Sequence, residues 1–354
     1  EIDAALLAWR SPSSESRDSG WLALYCESRD IEVHARRVVG GVRLRVTAPA
    51  AERDSAIELL YLLLDRPMID AGVFEQWRRS HAGEALEPLE RALALLFNPA
   101  FAAANTEHKA TLDDAQRALS RMARNASITV GIAGAIDAGD TIERAGTMLG
   151  ELVARDASGV GDEVLIESTP GDRVCEIELQ GHDAQRISGT LGGSLDSLDS
   201  LRATILASMV LHERARSAVK QAGLEADVDV QVVMSDSLGD RWAFLMRVDG
   251  PDEAAAIAMM NEAAEEMMSN GIAQDDLDRV KDDLDRSLAR YTQSARYWST
   301  RLSGVGLHGR TIEDIWSVRS GYASIDADTA TDALRAALGS GDRFVIRMNS
   351  EPDR

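Results

Sequence analysis

The sequence predicts a duplicated α/β domain. Three observations point there. A strand pattern near the start returns about 200 positions later, the helices behind it return in the same order, and a length of 354 residues suits two domains of about 150 residues each. Either half is long enough to bury its own core. The first copy is placed at 1–160 and the second at 173–354. The boundary falls in 157–172, a stretch rich in Gly, Ser, Asp and Pro, which is the composition of a connector.

In residues 41–46, Val42, Leu44 and Val46 alternate with Arg43 and Arg45. That period of two describes a strand with one face buried and the other in water. Phe244, Met246 and Val248 occupy the same slots 202 positions on, and Arg247 and Pro251 repeat Arg45 and Pro49 at the same offset. A helix follows each strand. Ala56-Ile57-Glu58-Leu59-Leu60 opens one and Ala256-Ile257-Ala258-Met259-Met260 the other. Short breaks come next, at Pro67 and at Gly271. Proline ends a helix because it lacks an N–H, glycine because of its freedom at a helix end. Asp70 is the expected N-cap of a second helix with Val73, Phe74 and Trp77 on one face; Leu277, Val280 and Leu284 mark the corresponding stripe. Thr111-Leu112-Asp113-Asp114 then caps a helix, and residues 128–132 read as a closing strand. In the second copy 326–338 is that helix and 344–348 that strand.

Apolar residues make up 45% and charged residues 27%, ordinary for a soluble globular chain. Lys plus Arg is 38 against 59 for Asp plus Glu, a net charge of −21. Nucleic acid and anionic membrane surfaces both need a basic footprint, so neither is an expected partner. Apolar runs such as 59–64 fall far short of the roughly 18 residues of a membrane span. No basic stretch followed by an apolar core opens the chain, so no secretory leader is expected, and a cytoplasmic location is favoured over secretion. The first residue is Glu1 rather than Met, as in a processed or excised piece. Cys26 and Cys175 give neither a disulfide framework nor a cysteine metal site.

Three stretches carry a resemblance to a known family. One is the strand–Pro–helix–linker–helix run 244–290. Another is 291–302, with Gln293, Tyr297 and Trp298 ahead of a Gly-rich loop. The third is 325–348, a capped helix feeding a strand. In this order they resemble the pitrilysin/insulinase family of zinc metallopeptidases, most clearly over 201–349. Residues 56–64, Pro67 and 74–84 fit the same template less closely. The resemblance implies tandem α/β domains, each a mixed, mainly antiparallel sheet packed by helices.

Catalysis in that family needs His-x-x-Glu-His on a helix, two histidines to ligate zinc and a glutamate as general base. The six histidines are His34, His81, His108, His182, His212 and His308, and none stands four residues from another. The nearest fragment, His81-Ala82-Gly83-Glu84, is followed by Ala85 and reads as a solvated helix face. No catalytic and no metal-ligating residue is therefore expected here, and zinc is expected in a separate catalytic half. Non-catalytic halves of the family often keep an Arg and a Tyr that hold substrate, in a run ending Gly-Leu-x-Tyr. The matching run, 218–226, keeps Gly223 and Leu224, but Val219 stands in the Arg slot and Ala226 in the Tyr slot. Arg214, Arg216 and Lys220 share the predicted helix. Arg216 and Lys220 are the candidates for touching a peptide carbonyl or carboxylate, the competing reading being a solvated face. After Gly223, Val228, Val230 and Val232 alternate with Asp227, Asp229 and Gln231. If that strand is a sheet edge, its peptide groups can pair with an extended peptide.

Other constellations carry less. Gly189-Thr190-Leu191-Gly192-Gly193 lacks the Lys-Ser/Thr and the spacing of a phosphate loop. Of the acidic residues around the start of one helix, Asp275, Asp276 and Asp278 suit the helix dipole, and Asp282, Asp283 and Asp285 interleave with Arg279, Lys281 and Arg286 as a solvated face. Tyr291, Tyr297 and Trp298 read as core. The expected function is a non-catalytic half that encloses peptide and supports a zinc-bearing half, in the same polypeptide or as a paired subunit. The alternative is a stand-alone scaffold or assembly protein of the same fold.

Overall fold

The structure, a computed structural model, describes residues 2–11, 14, 19–38, 41–80, 87–98, 111–152, 173–179, 185–195, 197–305 and 310–350. The expected connector at 157–172 and the fragment His81–Glu84 lie outside the described residues. The chain forms two compact units. One comprises Glu1–Glu84, Ala104–Val164 and Trp298–Gly304; the other comprises Ala85–Ala103, Leu165–Tyr297 and Val305–Arg354.

The first unit opens with α1 (Ile2–Ala5), α2 (Leu7–Arg10) and α3 (Ser19–Glu27), then an antiparallel hairpin of β1 (Glu32–Val38) and β2 (Gly41–Thr47). Next come α4 (Arg53–Asp65) and α5 (Ala71–Ser80). As expected, Asp70 caps α5: its Oδ1 accepts the Val73 N–H at 3.0 Å. Leu6, Trp9, Leu22, Leu59, Leu63, Phe74 and Leu119 form the core, with Val42, Leu44 and Val46 packed against it. Trp9 Nε1 donates to the Leu63 carbonyl at 2.8 Å, satisfying a polar atom that is otherwise costly to bury. The two faces of β2 differ less than the alternation suggests, since Arg43 and Arg45 are half-buried too.

Helix α6 (Pro88–Phe97) lies in the first half of the sequence but belongs to the second unit. The chain returns to the first unit with α7 (Leu112–Asn125) and α8 (Ala138–Leu149). Thr111 and Asp114 make a reciprocal capping box on α7, which satisfies two orphan amides at once. The expected strand at 128–132 is not formed; the segment is irregular, with Ile128 and Val130 each 39% exposed. Alternation gives only a local preference, and a strand also needs a partner to supply its ladder. Among the described residues the first unit's only sheet is the two-stranded hairpin.

The second unit holds β3 (Arg173–Leu179), β4 (Gln185–Ser194), α9 (Leu198–Gln221), β5 (Asp227–Met234), β6 (Arg241–Asp249), α10 (Glu253–Asn270), α11 (Gln274–Tyr291), α12 (Ala295–Leu302), α13 (Ile312–Trp316), α14 (Val318–Ala323), α15 (Ala327–Gly339) and β7 (Arg343–Ser350). The last residues of α12 pass to the first unit. The strands form one sheet in the order β3-β7-β4-β6-β5, with β3/β7 parallel and the other pairs antiparallel. This is the mixed, mainly antiparallel sheet that the resemblance implied. Leu191, Leu245, Phe344, Ile346 and Met348 on one face cluster with Ala92, Leu93 and Phe97 of α6. Phe244, Met246 and Val248, on the other face of β6, are also buried. On that side α9 packs on β5 and against α10 and α15. Burial on both faces explains why 242–246 is an unbroken apolar run rather than an alternation.

Polar bonds pin α6 to this sheet. Ser235 Oγ donates to Glu90 Oε2 and Ser237 Oγ to Glu90 Oε1, both at 2.6 Å. Arg173 Nη1 donates to the Leu96 carbonyl at 2.7 Å. Ser235 and Ser237 are 7% and 0% exposed, so losing the carboxylate leaves Ser235 Oγ only the Ser237 hydroxyl at 3.0 Å and Ser237 Oγ only the Glu90 main-chain carbonyl at 3.3 Å. Glu90→Ala is expected to lower the stability of this unit by about 1–3 kcal/mol. Urea denaturation checks it, and no change in midpoint would contradict it.

Candidate functional site

The candidate site consists of the C-terminal half of α9 and the strand it feeds. α9 ends in a Schellman turn. The Leu224 N–H donates to the Val219 carbonyl and the Gly223 N–H to the Lys220 carbonyl, both at 3.2 Å, with Gly223 at φ +67°. An L side chain is strained there. The two residues that match the family run, Gly223 and Leu224, thus build the turn. The two that depart leave an apolar anchor: Val219 is 3% exposed and cannot reach a ligand as an arginine would.

Arg216 and Lys220 are exposed on α9, and among the described residues neither has an ion pair. Arg214 is engaged: its Nη2 lies 2.8 Å and its Nε 3.0 Å from Asp276 Oδ2. Arg279 Nη2 holds the other Asp276 oxygen at 2.9 Å. The Arg214 hydrogen bond, ahead of the Arg279 one, holds the Asp276 carboxyl below the usual carboxylate range. A depressed carboxyl pKa adds stability above the unfolded-state value and loses it as pH falls through the folded-state value. The stability gap between wild type and Arg214→Ala is therefore expected to be widest at neutral pH and to close in acid. Urea titrations across that range check it, and a pH-independent gap would refute the assignment.

β5 is an edge strand, bonded to β6 on one side and, among the described residues, to no strand on the other. The Val230 N–H donates across that open side to His212 Nδ1 at 3.3 Å. By the alternation of an antiparallel strand, the peptide groups of Val228 and Val232 point the same way. His212 Nδ1 also lies 3.4 Å from Asp229 Oδ1. His212, Arg216 and Lys220 stand four residues apart and form one row along α9. Sequence alone does not single out His212, which has no second histidine for a zinc pair. Its spacing from Arg216 and Lys220 is the available signal.

The remaining candidates resolve simply. Asp285 is held by Arg319 through two contacts of 2.6 Å, Asp278 accepts from Gln274 at 2.7 Å, and Asp283 pairs with Arg286. Among the described residues no group of three or more His, Cys, Asp or Glu could hold a metal ion. With no His pair at metal spacing in the sequence, the residues present do not fit the family's zinc. Burial pushes the Cys26 and Cys175 thiols up, away from the reactive thiolate. The glycines of 189–193 lie in and around the middle of β4, where the rings of Phe344 and Trp242 pass over Gly189 and Gly192. Tyr291, expected in the core, is 63% exposed at the end of α11, while Tyr297 and Trp298 are half-buried. Helical spacing places Tyr291 on the stripe of Leu277, Val280 and Leu288, but at the helix's last residue that stripe is exposed.

A family model described as the peptidase M16 inactive domain matches residues 109–284. The chain belongs to the peptidase M16 family. This is the pitrilysin/insulinase resemblance of the sequence, on its inactive side. Among solved structures the M16 chain is similar to a protease from Helicobacter pylori, with a TM-score of 0.79 at 13% identity over 99% of this chain and 89% of that one. It is similar to a peptidase M16 inactive domain from Pseudomonas fluorescens, with a TM-score of 0.75 at 16% identity over 99% and 88%. It also matches the periplasmic protease PqqL from Escherichia coli, with a TM-score of 0.74 at 13% identity, and there it spans 41% of the longer chain. At these identities the likeness establishes the M16 fold alone. No curated protein matches the M16 chain in sequence. Among the described residues no helix is long and apolar enough to cross a membrane.

Proposed function

We propose that this M16 chain is a non-catalytic half that encloses peptide substrate and supports a zinc-bearing half, which hydrolyses the peptide bond. One observation carries the reading: an inactive-domain match in a sequence whose histidines contain no His-x-x-Glu-His. The catalytic half is supplied by the same polypeptide or by a paired subunit. Peptide is held through the open edge of β5, whose main-chain groups give affinity without side-chain specificity. Val219 and Ala226 leave that contact without the family's Arg and Tyr, so it is weak.

The test is metal content and activity. The dialysed chain is expected to hold less than stoichiometric zinc and to cleave no peptide alone. Adding the half encoded with a His-x-x-Glu-His segment, in the same gene or the neighbouring one, is expected to yield activity. One tightly held zinc per chain by elemental analysis overturns the reading. In the assembled enzyme Arg216→Ala is expected to lower kcat/KM by less than about tenfold, or about 1.4 kcal/mol. A loss of several hundredfold would make Arg216 the substrate anchor.

A further inference from the structure

Many described arginines of this acidic chain pair with a carboxylate, such as Arg53 with Asp140 and Arg319 with Asp285. Arg36 and Arg43 of the β1–β2 hairpin face each other instead. The hairpin's register sets Arg36 directly opposite Arg43 and His34 opposite Arg45. Side chains alternate along each strand, so these four share one face, while Val33, Ala35, Val42, Leu44 and Val46 pack on the core. Like charges directly opposite destabilise a ladder. Burial first, then Arg36, Arg301 and Arg45, hold the Arg43 guanidinium below its ordinary range. Arg36 is exposed and Arg43 half-buried. Among the described residues neither has a carboxylate partner, and Glu32, at one end of the face, lies 3.4 Å from His34. The fold therefore maintains a like-charge pair that nothing in the hairpin's core requires.

We propose that this face of the hairpin is a docking surface for an extended polypeptide segment with carboxylates at alternating positions. Along each strand the basic residues recur every second residue, about 6.6 Å apart at a rise of about 3.3 Å. An extended peptide presents its own alternate side chains at that same spacing, so Glu-x-Glu places one carboxylate per cationic row. Carboxylates between Arg36 and Arg43 replace the repulsion with charge-assisted bonds. A long polyanion or an anionic membrane meets the net charge of −21 as well as the patch, whereas a short acidic segment meets the patch alone. The inference adds a substrate chemistry to the proposed peptide-enclosing role. Its test uses binding to the full chain without any catalytic half, so either can fail separately.

The experiment is fluorescence anisotropy with a labelled Glu-Ala repeat and its Gln-Ala counterpart. The Glu peptide is expected to bind, to weaken steeply with added salt, and to bind at least about tenfold more tightly than the Gln peptide. Arg36→Gln is expected to lose about tenfold in affinity while its thermal midpoint rises, because the opposed pair is relieved; Arg36→Lys retains binding. Equal binding of both peptides, or an unchanged affinity in Arg36→Gln, overturns the proposal. An oligonucleotide or anionic vesicles binding as tightly as the Glu peptide overturns the choice of a polypeptide. A lower midpoint in Arg36→Gln shows that the arginine is structural and also overturns it.

Discussion

Phe244→Ala is expected to cost the second unit about 3–5 kcal/mol, the range for a large buried aromatic. Phe244 is 0% exposed. It sits mid-strand in β6, with Thr190 of β4 and Val232 of β5 directly beside it in register. Both neighbouring strands are hydrogen-bonded to β6, so the backbone cannot collapse into the vacated space, and the cavity adds to the lost transfer energy. The slot that repeats it in the first half is Val42, which is only half-buried, and Val42→Ala is expected to cost far less. Urea denaturation followed by circular dichroism measures both. A Phe244→Ala loss under about 1 kcal/mol would mean that this face is loosely packed.

The second large effect is expected at a position with no side chain. Gly189 lies in β4 between Phe344 of β7 and Leu245 of β6. A methyl group there would collide with the Phe344 ring and meet Leu245 Cδ2 at 2.9 Å. Phe344 is 1% exposed and its ring meets Phe97 edge-on, with centroids 5.2 Å apart, so it has no space into which to swing. Gly189→Ala is therefore expected to lose about 1–3 kcal/mol or more through overpacking. The cause is testable by a double-mutant cycle. Phe344→Leu alone leaves a void, yet combined with Gly189→Ala it is expected to cost less than the sum, because the new methyl fills the space. Strict additivity would show that the glycine is needed for some other reason.

The caps and helices of the repeat, and its strands other than 128–132, were legible because each depends on residues close in sequence. Thr111 and Asp114 stand three apart and cap α7; Asp326 caps α15 by accepting the Thr329 N–H at 2.8 Å. Gly223-Leu224 marks a helix end because only the next few residues decide a Schellman turn. The missing zinc motif was equally plain, since its spacing is local. The basic row of the hairpin was half visible: Arg43 and Arg45 announced a polar face, but nothing local said that Arg36 would stand across from Arg43. His212 was hidden in the same way, because its partner Val230 is 18 residues further along the chain.

By itself, then, the sequence determined most of the elements, their kinds and their order, and its resemblance to a known family pointed to the peptidase family. The elements follow from periodicity and spacing, which operate over a few residues. Only the tertiary structure decided that 128–132 would remain unpaired, that α6 would cover the sheet of the second unit, and that β5 would be an edge. Each of these outcomes depends on which strands and helices compete for the same hydrogen bonds and the same apolar face. That competition is between segments far apart in the chain, and no local pattern records its result.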